Sequence, residues 1–153
     1  MATIEKSIEV DVPLRTAYNQ WTQFEEFPRF MEGVDEVTQL NDTRLRWIAN
    51  AGGQQREWYA RITEQVPDDR IAWVSEGGTF TSGVVTFHRL SEDMCRVMVQ
   101  MEYDPDGIVE EVGDKLGFVT RRVEGDLERF KKFIEERGQE TGAWRGEVAR
   151  PRP

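Results

Sequence analysis

The stretch from Ile108 to Arg137, IVEEVGDKLGFVTRRVEGDLERFKKFIEER, decides the fold. Within it Val109, Val112, Leu116, Val119, Val123, Leu127, Phe130 and Ile134 step by 3, 4, 3, 4, 4, 3 and 4 residues. At 100° per residue they fall in one narrow apolar stripe. Asp104-Pro105-Asp106-Gly107 forms a turn ahead of it. Glu110 and Glu111 suit the positive end of the helix, Lys131, Lys132 and Arg137 the negative end, and Gly138 supplies the stop. Such a helix is about 45 Å long and needs an apolar trough to lie in. Gly113 and Gly117 flank the stripe; either they admit close backbone approach or they are simply tolerated.

Working toward the N-terminus, Val34 to Tyr103 supplies the trough. Asn41-Asp42, Gly52-Gly53, Asp68-Asp69, Gly77-Gly78 and Glu92-Asp93 divide it at near-regular intervals, which predicts an antiparallel meander. Alternation puts Leu45, Trp47, Ala49, Trp58, Ala60, Ile62, Ile71, Trp73, Ser75, Gly83, Val85, Phe87, Val97, Val99, Met101 and Tyr103 on one face. The opposite parity carries Arg44, Arg46, Glu57, Arg61, Arg70, His88, Arg96 and Glu102, so one face is dry and the other wet. Thr3 to Val10 alternates in the same way and predicts a first strand. Asp11 and Pro13 start a short helix with Leu14, Ala17, Tyr18 and Trp21 at helical spacing. Phe27-Pro28-Arg29-Phe30 interrupts it, and the aromatic segment from Glu25 to Glu32 reads as a helical turn, hinge or small lid. The prediction is an α+β domain over residues 1–138: a curved antiparallel sheet wrapped around a long C-terminal helix, with two short helices after the first strand. Residues 139–153 turn Gly-, Arg- and Pro-rich and are expected to form a flexible tail.

Composition narrows the function. Twenty-nine acidic residues against 20 basic give a net charge of -9, which repels phosphate backbones and argues against nucleic acid as a partner. The single Cys95 cannot form an internal bridge and reads as a small packed side chain. No apolar run approaches the roughly 20 residues that span a bilayer, and Met1 to Lys6 lacks a signal peptide's apolar stretch. A cytoplasmic protein with no membrane insertion is expected.

The motifs Ile62-Thr63-Glu64 before Pro67, Ile71-Ala72-Trp73, Gly83-Val84-Val85-Thr86-Phe87 and Asp126-Leu127-Glu128-Arg129-Phe130-Lys131 resemble the START-like (SRPBCC) superfamily with its helix-grip fold. Within it the chain is similar to the bacterial polyketide cyclase/dehydrase group, related to the coenzyme Q-binding START proteins, over Thr3 to about Gly138. These motifs mark strand parity and the helix seam and contain no catalytic signature, so the resemblance implies a fold and an apolar cavity rather than a reaction. Glu140-Thr141-Gly142-Ala143-Trp144-Arg145-Gly146 also resembles a tail of actinobacterial members, which implies such a source. Trp144 either folds back over the pocket mouth or stays disordered.

Reactive side chains are scarce. His88 is the one histidine and has no Cys, His or Asp partner at ligand spacing, so no metal site is expected. Ala51-Gly52-Gly53-Gln54 and Glu76-Gly77-Gly78-Thr79 are hairpin turns without the Lys and helix of a phosphate loop, and no cofactor is expected. The pairs Glu25-Glu26, Asp68-Asp69, Glu110-Glu111 and Glu135-Glu136 lie where charge is ordinarily solvated. The dry face is richer: Trp47, Trp58 and Trp73 on adjacent strands, near Phe87 and Tyr103, exceed the aromatic bulk of a tight aliphatic core. A pocket lined by Trp47, Trp58, Trp73, Ser75, Val85, Phe87, Met101, Tyr103, Val112, Leu116 and Val119 is therefore expected, with indole N–H, Tyr103 hydroxyl and Ser75 as polar anchors. Its partner is a small hydrophobic molecule, lipid-, quinone- or polyketide-like, bound or carried. The alternative is an aromatic polyketide cyclase/dehydrase in the same cavity, for which the outward Arg44, Arg46, Arg61 and Arg96 leave no inward cation unless a strand bulge turns one in. An interaction module is the third reading, since Phe118 and Phe133 fall off the main stripe.

Overall fold

In the computed structural model, residues 2–51, 53–77, 80–104 and 115–148 are described, without the side chains of residues 51 and 115–118. Seven strands form one antiparallel sheet: β1 (Ala2–Val10), β2 (Val34–Gln39), β3 (Arg44–Ala51), β4 (Gln54–Val66), β5 (Arg70–Glu76), β6 (Thr81–Ser91) and β7 (Met94–Tyr103). Their order is β1-β7-β6-β5-β4-β3-β2, a meander closed on one side by the first strand. Helix α1 (Leu14–Trp21) and a 3-10 helix (Phe24–Arg29) follow β1, and helix α2 is described over Lys115–Arg137. This is the α+β helix-grip arrangement that the α2 stripe and the strand parity predict. The expected helix start at Ile108, with Val109, Val112 and Gly113, lies outside the described residues.

Register holds the dry face together. Trp47 pairs with Trp58, Leu45 with Ala60, Ile62 with Trp73, Ile71 with Val85, Phe87 with Val97 and Gly83 with Met101. The period-2 pattern slips once in β4, where Thr63 is an extra residue between Ile62 and Glu64. That bulge turns Gln65, rather than an arginine, inward. Against the face lies the α2 stripe, with Leu127, Phe130 and Ile134 buried and Val123 half-buried. Gly138 ends the helix with φ of 74° while its N–H bonds the Ile134 carbonyl at 2.9 Å, a left-handed position that favours glycine. Phe133, off the main stripe, packs on Phe30 with ring centroids 5.5 Å apart.

Residues 139–148, in the segment expected to be a flexible tail, make a specific set of contacts. Gln20 and Thr141 exchange two hydrogen bonds, Gln20 Nε2 donating at 3.1 Å and the Thr141 N–H at 2.8 Å. Asn19 donates to Glu140 at 2.9 Å and accepts from Arg145 at 2.6 Å. The Trp144 N–H reaches Thr22 Oγ1, and Gln65 and Val148 form a two-bond antiparallel bridge. None of these requires apolar periodicity, which is why the composition of the segment does not announce them.

Candidate functional site

Between the sheet, the 3-10 segment and α2 lies a cavity of about 260 Å³. The sheet supplies its floor: Trp47 of β3, Trp58 of β4, Trp73 of β5, Val85 of β6 and Met101 of β7, each with the inward parity expected of it. Trp47 and Trp58 are cross-strand partners stacked 5.8 Å apart with their planes at 11°. The Trp47 N–H is buried without an acceptor among the described residues, so it offers no anchor to a ligand as placed. Trp73 gains its room from Gly83 opposite: a Cβ there would stand 2.5 Å from the Gln100 carbonyl and 2.8 Å from the indole.

Four of the other expected lining residues, Phe87, Tyr103, Ser75 and Val119, are not among the described residues that border it. Phe87 is buried beyond the cavity's end, edge-on to Tyr18 at 5.3 Å and to Trp21 at 6.4 Å. Tyr103 is fully buried at the end of β7, paired with Ala2 and Thr81. Ser75 Oγ accepts the Thr81 N–H at 2.8 Å and ties the β5 end to the β6 start. Neither hydroxyl is therefore placed as a cavity anchor; parity selects a face, and position along the strand decides whether that face meets the cavity or its packed ends. Val119 is half-buried on α2 without bordering the cavity. Val112 and the Leu116 side chain lie outside the described residues.

The roof was legible only in outline. From the segment Glu25 to Glu32, expected as a turn, hinge or lid, Phe27 and Met31 border the cavity, and Phe24 just before it and Trp21 of α1 lie beside them. Phe27 stands 5.7 Å from Trp47 and Trp21 stands 4.9 Å from Phe130, so one run of rings joins the cap to floor and helix. The cap is pinned to α2 by polar bonds: Arg129 Nε donates to the Phe30 carbonyl at 2.9 Å, Arg122 to the Glu32 carbonyl at 3.1 Å, and the Glu32 N–H to Asp126 at 3.2 Å.

Asp126 is the residue that the strand-based reading misses. It borders the cavity, the one ionisable side chain among the described lining residues. Burial raises its carboxyl above the usual aspartate range, against the lowering effect of Arg129, the Glu32 N–H and Arg122. The signal was present in the sequence: Asp126 follows Val123 by three residues and precedes Phe130 by four, which puts a carboxylate on the apolar stripe.

The outward arginines hold as assigned. Arg46 pairs with Glu57, Arg96 with Glu9 and Arg44 with Glu76, while Arg61 is exposed. His88 lies on the wet face, 2.9 Å from Thr86 Oγ1. Burial pushes the Cys95 thiol up to about 11, as expected of a packed side chain rather than a nucleophile. Among the described residues no three His, Cys, Asp or Glu side chains gather to hold a metal, and no helix is long and apolar enough to cross a membrane.

Comparison with known proteins agrees with this geometry. A START superfamily protein from Mycobacterium smegmatis superposes with a TM-score of 0.69 at 16% identity, covering 88% of this chain and 95% of that one. The Zhui aromatase/cyclase from Streptomyces sp. R1128 superposes with a TM-score of 0.75, also at 16% identity, over 94% of this chain and 99% of its own. At that identity both show the fold alone. An uncharacterized 17.2 kDa protein of the melC2-rnhH intergenic region of Streptomyces lincolnensis is 60% identical over 149 residues, 97% of this chain and 99% of that protein. Residues 10–132 match the family model described as polyketide cyclase / dehydrase and lipid transport. That match runs from the end of β1 through the cap, the cavity floor and Asp126, and the chain belongs to this family.

Proposed function

We propose that the protein binds or carries a small, largely apolar, planar molecule in the cavity beneath α2. The supporting observation is the cavity itself. Left dry and empty, about 260 Å³ would cost on the order of 6 kcal/mol at ~24 cal/mol per Å³. That is comparable to the whole stability of a typical domain, about 5–15 kcal/mol. Filling the space with larger side chains would recover it, and the chain instead lines it with four indoles, Trp21, Trp47, Trp58 and Trp73, and roofs it with phenylalanines. The size lies just under the ~300–1,000 Å³ of drug-sized pockets, so the described walls suit a molecule of about two fused rings. A longer quinone, lipid or polyketide chain would have to extend past them. Titration with naphthoquinones, fatty acids and polycyclic aromatics tests the reading. Emission from Trp21, Trp47, Trp58 and Trp73 should change and the thermal midpoint should rise with ligand excess. Unchanged emission and midpoint with every one of these would remove the reading's main support.

A catalytic reading, cyclisation or dehydration of a polyketide-like substrate, has one observation in its favour, the acid/base group that Asp126 presents at the cavity wall. It predicts that Asp126→Asn abolishes turnover of such a substrate while binding persists. Turnover surviving that substitution would remove this second reading.

A further inference from the structure

Asp126 is costly where it stands, because burial disfavours its charged form and the helix stripe around it is apolar. Its two oxygens are used differently. Oδ1 accepts both the Glu32 N–H and the Arg129 guanidinium. Oδ2 makes no hydrogen bond among the described residues, although the side chain borders the cavity and keeps 19% exposure. A carboxylate has room for about four donors, so tethering Glu32 and Arg129 leaves half of this one unused.

The charges facing it set the kind of donor it suits. Arg129 comes from its own helix and also approaches Glu32 at 3.8 Å. Arg122, one helical turn earlier, acts on Asp126 electrostatically and donates to the Glu32 carbonyl. The cap contributes Glu32, and the described lining residues of the sheet contribute no ionisable group. Among the described residues, two guanidinium groups against two carboxylates leave no net negative charge to draw in a cation. The open oxygen is therefore suited to a neutral donor.

We propose that Asp126 is the charged contact of a cavity whose other polar lining side chain, among the described residues, is Thr81, and that it selects, among planar apolar molecules, those carrying a phenolic or enolic hydroxyl that can donate to Oδ2. The inference rests on the cavity-binding reading above. It goes further by assigning the ligand a donor group and the discrimination to one side chain. A site that hydrogen-bonds a substrate hydroxyl discriminates against analogues lacking it, because the buried acceptor is then left unpaired.

The test uses three probes of nearly one shape: 1-naphthol, 1-methoxynaphthalene and naphthalene, titrated by Trp fluorescence into the full chain, Asp126→Asn and Asp126→Leu. In the native chain 1-naphthol should bind about tenfold or more tighter than 1-methoxynaphthalene, the range of a hydrogen bond to a charged group. In Asp126→Leu that ratio should fall to about one, and Asp126→Asn, which keeps an acceptor oxygen but not the charge, should fall between. The ratio is taken within one protein sample, so partial unfolding of a variant cancels from it. Lowering the pH through the raised carboxyl value should shrink the naphthol preference in the native chain and leave both variants flat. Equal binding of the three probes by the native chain, or a naphthol preference that survives Asp126→Leu at full size, would overturn the assignment while leaving the cavity reading intact. Failure of all three probes, naphthalene included, would overturn both. An Asp126 that served only as a tether for Glu32 would move the thermal midpoint in the variants but not the ratio.

Discussion

Helix α1 has two faces that meet two opposite kinds of interior. Trp21 borders the cavity, where apolar surface lacks packing partners. Asn19 and Gln20, on the adjoining face, meet residues 140–145 in a seam where polar groups are packed and paired. The buried side chains of Asn19, Gln20 and Thr22 all bond residues 140–145, and the backbone of buried Gln65 bonds Val148. The cavity is an apolar region with space left in it; the seam is a region joined by polar bonds. Substitution should therefore act in opposite ways. In the cavity it should alter binding more than stability, and in the seam stability without binding. Between them lies the close-packed end of the core, which sets the reference.

The largest effect is expected at that reference. Phe130 is fully buried, 4.9 Å from Trp21 and 5.2 Å from Phe30 by ring centroid. Phe130→Ala should cost about 3–5 kcal/mol in denaturant unfolding, transfer and cavity terms together. A loss below about 1.5 kcal/mol would mean that this end is as loose as the cavity, and the contrast would lose its fixed point.

The seam should come next. Truncation after Gly138 removes one side of each of these hydrogen bonds but opens the other side, at Asn19, Gln20, Thr22 and Gln65, to water, and it frees the ordered segment, so its cost is held to about 2 kcal/mol, or roughly 4–8 °C in midpoint. Gln20→Ala should cost about 1–2 kcal/mol in the full chain by leaving the Thr141 N–H and hydroxyl unpaired. In the truncated chain it should cost almost nothing, because its partner is already gone. Additive costs, or a truncation without any effect on midpoint, would make residues 139–148 the free tail that their composition suggests. Ligand affinity measured on the same proteins should stay constant; a parallel fall would merge the two regions into one.

The difference between the regions also explains what could be read from residue order. Apolar burial leaves a period, and the steps from Val123 to Leu127, Phe130 and Ile134 and the alternation through Trp47, Trp58 and Trp73 placed helix, strands and cavity floor. Polar pairing leaves none: nothing in Gln20 or Thr141 marks them as partners, since side-chain hydrogen bonds need proximity that only the finished fold creates. Phe87 and Tyr103 share the parity of Trp73 but lie beyond the cavity, a matter of distance along the strand that alternation cannot encode. Asp126 was hidden by the opposite error. It occupies the stripe, and a polar residue in an apolar stripe reads as an interruption until the space beside it is seen.

The smallest change in stability, with a large change in binding, is expected at Trp73. It lies close against Gly83 but also borders the cavity, so the cavity-facing part of the indole already lacks packing partners. Trp73→Ala enlarges an existing space rather than opening a new one in a close-packed layer, and should cost about 1–2 kcal/mol rather than the ~3–5 kcal/mol of a jammed aromatic. Naphthalene affinity should fall sharply in the same variant, since a ligand loses the ring surface it would lie against. The ratio of naphthol to methoxynaphthalene affinity should persist, because Asp126 is untouched. A Trp73→Ala variant as unstable as Phe130→Ala, with naphthalene binding by its folded fraction unchanged, would place the indole in the packed core. In that case the cavity would have to be defined by its cap and its helix alone.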